Sequence, residues 1–141
     1  AGHIHIGWCE HADFHSSDHV EMCKSLVRNL DLLIGMPFIL FDTDSKRREL
    51  YGKAGSFRPK PYGCEYRVLS NKWVGNEEVT RWIYKQIHTA IASLQAGKDL
   101  EEDCYQNLFA ADYIINTNDK EAAIKAIKEL RLEVPECFGL V

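Results

Sequence analysis

Two histidines separated by one residue, in Gly2-His3-Ile4-His5-Ile6-Gly7-Trp8, are the first side chains of this sequence with a capacity for chemistry. On an extended strand both imidazoles point to one face, about 6–7 Å apart at the backbone. Such a pair can bind one metal ion, or one metal ion and one phosphate. The plain alternative is two histidines on an exposed strand face, because His-x-His alone is a weak signal. About fifty residues on comes a denser segment, Lys53-Ala54-Gly55-Ser56-Phe57-Arg58-Pro59-Lys60-Pro61-Tyr62-Gly63-Cys64-Glu65-Tyr66-Arg67. Gly52, Gly55 and Gly63 permit close backbone approach to a ligand. Lys53, Arg58, Lys60 and Arg67 supply cations, and the planar forks of the arginines suit phosphoryl oxygens. Glu65 shares a strand face with Arg67, an odd pair for an apolar core. It fits a carboxylate that holds Mg²⁺ beside phosphates that an arginine also touches. A surface hairpin with a Glu–Arg pair is the competing explanation.

Other chemistry-bearing residues carry less. Cys9, His11 and His15 suggest zinc, but their spacing matches no structural zinc site and no second ligand pair follows, so solvated loop side chains are the better reading. Asp42 and Asp44 suit a cap and a turn better than a metal. Arg47 and Arg48 can join the cationic cluster, although a solvated helix face explains them as well. Trp73, Trp82 and Tyr84 read as core, and His88 needs no function. Cys64 faces the opposite side of its strand from Glu65 and is not read as a nucleophile.

The elements that must position these groups follow from periodicity. Residues 3–8 alternate, with Ile4, Ile6 and Trp8 on one face and His3, His5 and Gly7 on the other. Residues 9–17 are polar loop. Asp18 with Glu21 opens a helix whose stripe of Val20, Cys23, Leu26, Val27, Leu30 and Ile34 runs to Gly35 and Pro37. Phe38 to Phe41 is a short buried run, and Thr43 or Asp44 caps a short helix to Tyr51. Residues 52–63, with three glycines and two prolines, read as loop. Cys64 to Leu69 reads as a strand. Asn76 caps a helix over Glu77 to Leu94, with Val79, Trp82, Ile83, Ile87 and Ile91 inward. A further helix is expected over Glu101 to Ile115. Asn118 with Glu121 caps a last helix to Leu130, and Pro135 ends regular structure. The fold class is therefore α+β, helix-rich, with two strands that are too few for a stable sheet alone.

Bulk properties set limits. The 141 residues are 45% apolar and 27% charged with a net charge of −4, which suits one domain and excludes a uniformly polyanion-binding surface. The seven Lys and Arg between Lys46 and Arg67 are a local exception. Five cysteines without a Cys-x-x-Cys motif point to reduced thiols, hence a cytoplasmic location. No apolar run reaches the ~18 residues of a membrane span. The chain opens without Met inside a patterned strand, so further sequence before Ala1 is expected.

With these residues in view, Gly2 to Trp8 followed by Arg47 to Trp73 closely resembles the phage-type carboxylate–amine ligases (COOH–NH2 ligase type 2) of the amidoligase group, related to glutamine synthetase. The resemblance implies a curved, mostly antiparallel sheet flanked by helices. It also implies ATP-dependent amide or isopeptide bond formation through an acyl phosphate. His3 then resembles the metal-binding histidine, Glu65 the carboxylate sharing Mg²⁺ or Mn²⁺, and His5 the histidine near ATP. Arg58 and Arg67 resemble the catalytic arginines that bind phosphates. Lys53 stands where relatives often carry arginine, which keeps the charge and loses the fork. The family takes further metal-binding glutamates from strands N-terminal to His-x-His, so residues 1–141 are expected to be the C-terminal portion of one catalytic domain. The missing N-terminal half or a complementing chain would complete it. The expected location is the cytosol, that of the host if the protein is phage-encoded. Alternatives are a metal-dependent hydrolase and a non-catalytic phage structural or binding component. The sequence leaves open the carboxylate and amine substrates and the oligomeric state, and it indicates no nucleic acid or membrane partner.

Overall fold

A computed structural model describes residues 2–98, 100 and 110–140. It is α+β: a small antiparallel sheet of three strands carries helices on its apolar side. The strands are β1 (Ile4–Gly7), β2 (Phe57–Lys60) and β3 (Gly63–Tyr66), in the order β1-β3-β2. The third strand was not expected, since residues 52–63 read as loop. The glycines and prolines obscured a short period-2 pattern in which Phe57 and Pro59 alternate with Arg58 and Lys60. Pro59 is tolerated because β2 lies at an edge of the sheet. Pro61 and Tyr62 make the two-residue turn of the β2–β3 hairpin, with Lys60 opposite Gly63. Strand β3 is also shorter than the expected Cys64 to Leu69. Beyond Tyr66 the chain leaves the ladder, although the Arg67 amide still bonds the Ser56 carbonyl at 2.9 Å.

Gly63 is required by packing. A Cβ there would lie 2.0 Å from the Ile6 carbonyl oxygen, so only glycine lets β1 approach β3 this closely. This close approach of two strands explains Gly63 without a ligand.

Helix α1 (Ser17–Leu30) is capped by Ser16, whose hydroxyl accepts from the His19 amide, and not by Asp18. Its stripe of Cys23, Leu26, Val27 and Leu30 is buried. The helix does not stop at Gly35 or Pro37. It passes through a π-helical turn (Asp31–Gly35) into a short α2 (Met36–Phe38). The extra residue of the π turn lets the Met36 amide donate to the Asp31 carbonyl five residues back, and Pro37 follows where an amide is dispensable. Asp44 caps α3 (Ser45–Leu50), as the sequence allowed.

Asn76 caps α4 (Glu77–Gln95), which packs on α1 and buries Val79, Trp82, Ile83 and Ala90; Trp82 meets Phe138 edge-on and donates to the Glu133 carbonyl. Tyr84 is not core: it is 67% exposed and lies edge-on to His88. Residues 101–109 of the helix expected over Glu101 to Ile115 lie outside the described residues. The remainder belongs to α5 (Ala111–Thr117). The cap of α6 (Lys120–Leu130) is Asp119, one residue later than expected; Asn118 instead ends α5 in the left-handed conformation that Asn tolerates. The core runs along the C-terminal part of α1, from Cys23 to Leu30, and the inner faces of β3, α4, α5 and α6. No helix among the described residues is long and apolar enough to cross a membrane.

Candidate active site

The sheet is two-faced. Ile6, Cys64 and Tyr66 are buried on the helix side. The registers place His5 of β1, Glu65 of β3 and Arg58 of β2 in one row across the strands. Alternation puts His3, Arg67 and Lys60 on the same face. A strand period of two is thus enough to bring six polar side chains from two distant segments together.

Glu65 is the centre of this face and is only 6% exposed. One carboxylate oxygen meets His3 Nδ1 at 2.8 Å and Arg67 Nη1 at 3.0 Å. The other lies 3.8 Å from Lys60 Nζ and 4.0 Å from Arg58 Nη1. Burial opposes ionisation of Glu65, but Arg67, His3, Arg58 and His5 together outweigh it and hold its pKa below the ordinary carboxylate value. Three cations therefore converge on one carboxylate, and the face keeps positive charge to offer an anion. Arg58 is the least committed of them, with its side chain 58% exposed.

His3 behaves differently from what its short contact suggests. Burial and the Arg67 guanidinium lower its pKa below 6.5, against the upward pull of Glu65. At neutral pH it is an uncharged imidazole that donates Nδ1–H to Glu65, so the contact is a hydrogen bond more than an ion pair. Nε2 then keeps its lone pair. A linkage follows. The unfolded chain protonates this histidine near 6.5 while the folded chain resists. Folding stability should therefore be complete above 6.5 and fall as pH drops through that value, with Glu65 extending the loss at more acid pH. Urea unfolding midpoints at stepped pH should fall less steeply for His3→Asn; a slope unchanged by this substitution would contradict the assignment.

The expected site residues are otherwise placed as follows. His5 Nδ1 contacts the Tyr62 hydroxyl of the hairpin turn. Lys53 lines a cleft of about 570 Å³ together with His3, Ser56 and Arg67, beside the polar face. Cys64 lies on the buried side, where burial and the neighbouring Cys23 push its pKa up to about 12, so it stays a thiol. Neither Arg47 nor Arg48 is on a solvated face, and Arg47 lines the same cleft as His3, Lys53 and Arg67. Arg47 donates to the Val68 and Leu69 carbonyls, and the buried Arg48 ties Asn118 to the Asp42 carbonyl. Asp42 accepts from the Asp44 amide, a turn role. Three amides of the glycine loop are already taken: Ala54 N–H by Asn116, Gly55 N–H by Asp31 and Ser56 N–H by the Lys53 carbonyl. Sequence reasoning counted Lys60 among the loop cations without giving it a role of its own, and it gave none to Tyr62 or Asp31. The Arg58/Lys60 alternation was the signal that placed Lys60 on the same face as Arg58.

Among the described residues no group of three or more His, Cys, Asp or Glu side chains is placed to hold a metal ion, and Cys9, His11 and His15 do not form one. His3 and Glu65 fit a divalent cation in part. A carboxylate and an imidazole are suitable donors for Mn²⁺, and Mg²⁺ commonly takes one or two carboxylates and fills its shell with water and phosphate, but an ion shared by the two would have to replace the Nδ1–H bond to Glu65, because Nε2 lies on the far side of the ring from the carboxylate. A second groove, of about 590 Å³, lies between α4 and residues 133–136. Lys85 pairs with Glu133 and Arg81 with Glu77, and Glu78 and Glu136 leave the groove acidic, so it has no positive surplus to attract a phosphate and is the weaker candidate.

Residues 1–135 match the family model for the phage phiEco32-like COOH·NH2 ligase, type 2, and the chain belongs to that family. No curated protein and no solved structure gives a significant match.

Proposed function

We propose that this chain carries the phosphate-binding part of an ATP-dependent carboxylate–amine ligase. One observation supports this most: Arg58, Lys60 and Arg67 surround the single carboxylate of Glu65 on one sheet face. Surplus positive charge, forked donors and a neighbouring imidazole pair suit the γ-phosphoryl group of a nucleotide. In the proposed reaction a substrate carboxylate attacks that phosphoryl group, giving an acyl phosphate and ADP. The amine then attacks the acyl carbon, phosphate leaves, and an amide or isopeptide bond remains. Arg58 and Arg67 neutralise charge on the transferred group, Lys53 adds charge from the cleft, and His5 lies towards the nucleotide. His3 and Glu65 would hold Mg²⁺ or Mn²⁺, which when bound screens the phosphate oxygens. The protein's work is positioning and charge neutralisation, not covalent catalysis.

The wider reading is a glutamine synthetase-like sheet, acting in the cytosol. Among the described residues β1 is paired on one side only, leaving an edge where further strands, from the same chain or another, can add. The test is hydroxylamine trapping with the full-length protein, ATP, Mg²⁺ and a panel of carboxylates. Hydroxamate and ADP should appear together, and neither should form without the other. Hydroxamate formed without ATP would instead indicate a hydrolase, and no turnover with any carboxylate would favour a non-catalytic component.

A further inference from the structure

Asp31 is 4% exposed and belongs to the π turn that interrupts the α1–α2 helix. One of its carboxylate oxygens accepts from the Tyr66 hydroxyl at 2.6 Å, and the other accepts from the Gly55 amide at 2.7 Å. Tyr66 sits on β3 between Glu65 and Arg67, with its ring on the opposite face of the sheet. Gly55 sits in the loop that begins at Lys53 and feeds β2 and Arg58. The same π turn makes room for this bridge. A Cβ at Gly35 would lie 2.7 Å from the Tyr66 hydroxyl and 3.3 Å from the Asp31 carboxylate. π turns interrupt regular helices and recur at functional sites. Here the turn supplies both the carboxylate and the space.

We propose that Asp31 is a positioning residue: by binding the Gly55 amide and the Tyr66 hydroxyl at once, it sets the loop carrying Lys53 and leading to Arg58 against β3, which carries Glu65 and runs into Arg67. The inference rests on the phosphate-site assignment above and deepens it. Two short bonds to a carboxylate are the strong kind, and they act on the two segments whose cations must converge. The Tyr66 hydroxyl is suited to donating, because burial and the Asp31 charge hold it protonated. Asn116 fixes the adjacent Ala54 amide at 2.9 Å from the other side, so the loop is gripped twice.

The experiment uses inorganic tripolyphosphate as probe, with calorimetric affinities and amide hydrogen exchange measured on the full-length protein. In Asp31→Asn the Gly55 amide should exchange at least about tenfold faster, and tripolyphosphate should bind about tenfold more weakly, the scale of one charge-assisted hydrogen bond. Tyr66→Phe keeps the buried ring and removes one donor; it should shift both readouts in the same direction by less, and it serves if Asp31→Asn does not fold. A faster Gly55 amide with unchanged tripolyphosphate affinity, or an unchanged Gly55 amide, would overturn the positioning role. Wild-type protein that does not bind tripolyphosphate would overturn the phosphate site itself, and the inference with it.

Discussion

Arg58→Ala is expected to lower ATP-dependent ligation by roughly 10³-fold, the scale of an arginine acting on a transferred phosphoryl group. Of the cations around Glu65 it has the longest contact, 4.0 Å, and the most exposed side chain. It is therefore free to turn its fork to a ligand with little loss to the fold. Stability should change by less than ~1 kcal/mol, because an exposed ion pair at this distance contributes little. Arg58→Lys should recover only part of the rate, since a point charge cannot make two parallel hydrogen bonds. Steady-state turnover and urea unfolding on the same preparations separate the two effects. Wild-type turnover in Arg58→Ala would remove this residue from the mechanism.

Glu65 is expected to be the most sensitive position for both fold and chemistry. Its carboxylate is buried and meets His3, Arg67, Lys60 and Arg58. Glu65→Gln keeps the shape and removes the charge. The cations then repel one another, and the suggested metal site loses its carboxylate. Turnover should fall by about 10²-fold or more, since even outer partners of metal ligands cost up to that much. Glu65→Ala should in addition lose about 1–2 kcal/mol of stability, held to that range because the partner side chains are 25–58% exposed and water screens their repulsion. A loss of stability with unchanged turnover would make Glu65 a structural counter-ion only.

The polar face was legible because strand alternation is strict. Once His3 and His5 lay on one strand and Glu65 and Arg67 on another, only the pairing remained to be found, and the structure pairs them. The third strand was not legible, because Pro59 and the flanking glycines mask a four-residue pattern that only an edge position makes possible. Helix caps were readable to within one or two residues. Asn76 and Asp44 were right, whereas Ser16 and Asp119 displaced Asp18 and Asn118 because cap choice depends on local backbone angles. The roles of Gly35, Gly63 and Asp31 depend on what approaches them from elsewhere in the chain. Local composition carries no record of that. Arg48 shows the same limit: a helix-surface pattern gave no sign that tertiary packing buries it.

The most direct test of the account is an NMR titration of the full-length protein with Mg²⁺ and a non-hydrolysable ATP analogue, followed at the backbone amides and at the Arg58 and Arg67 guanidinium groups. A saturable response centred on β1, β2 and β3 around Glu65, weakened in Arg58→Ala, is the predicted result. A saturable response confined to the groove between α4 and residues 133–136, or no saturable response at all, would contradict the assignment of this sheet face as the phosphate site.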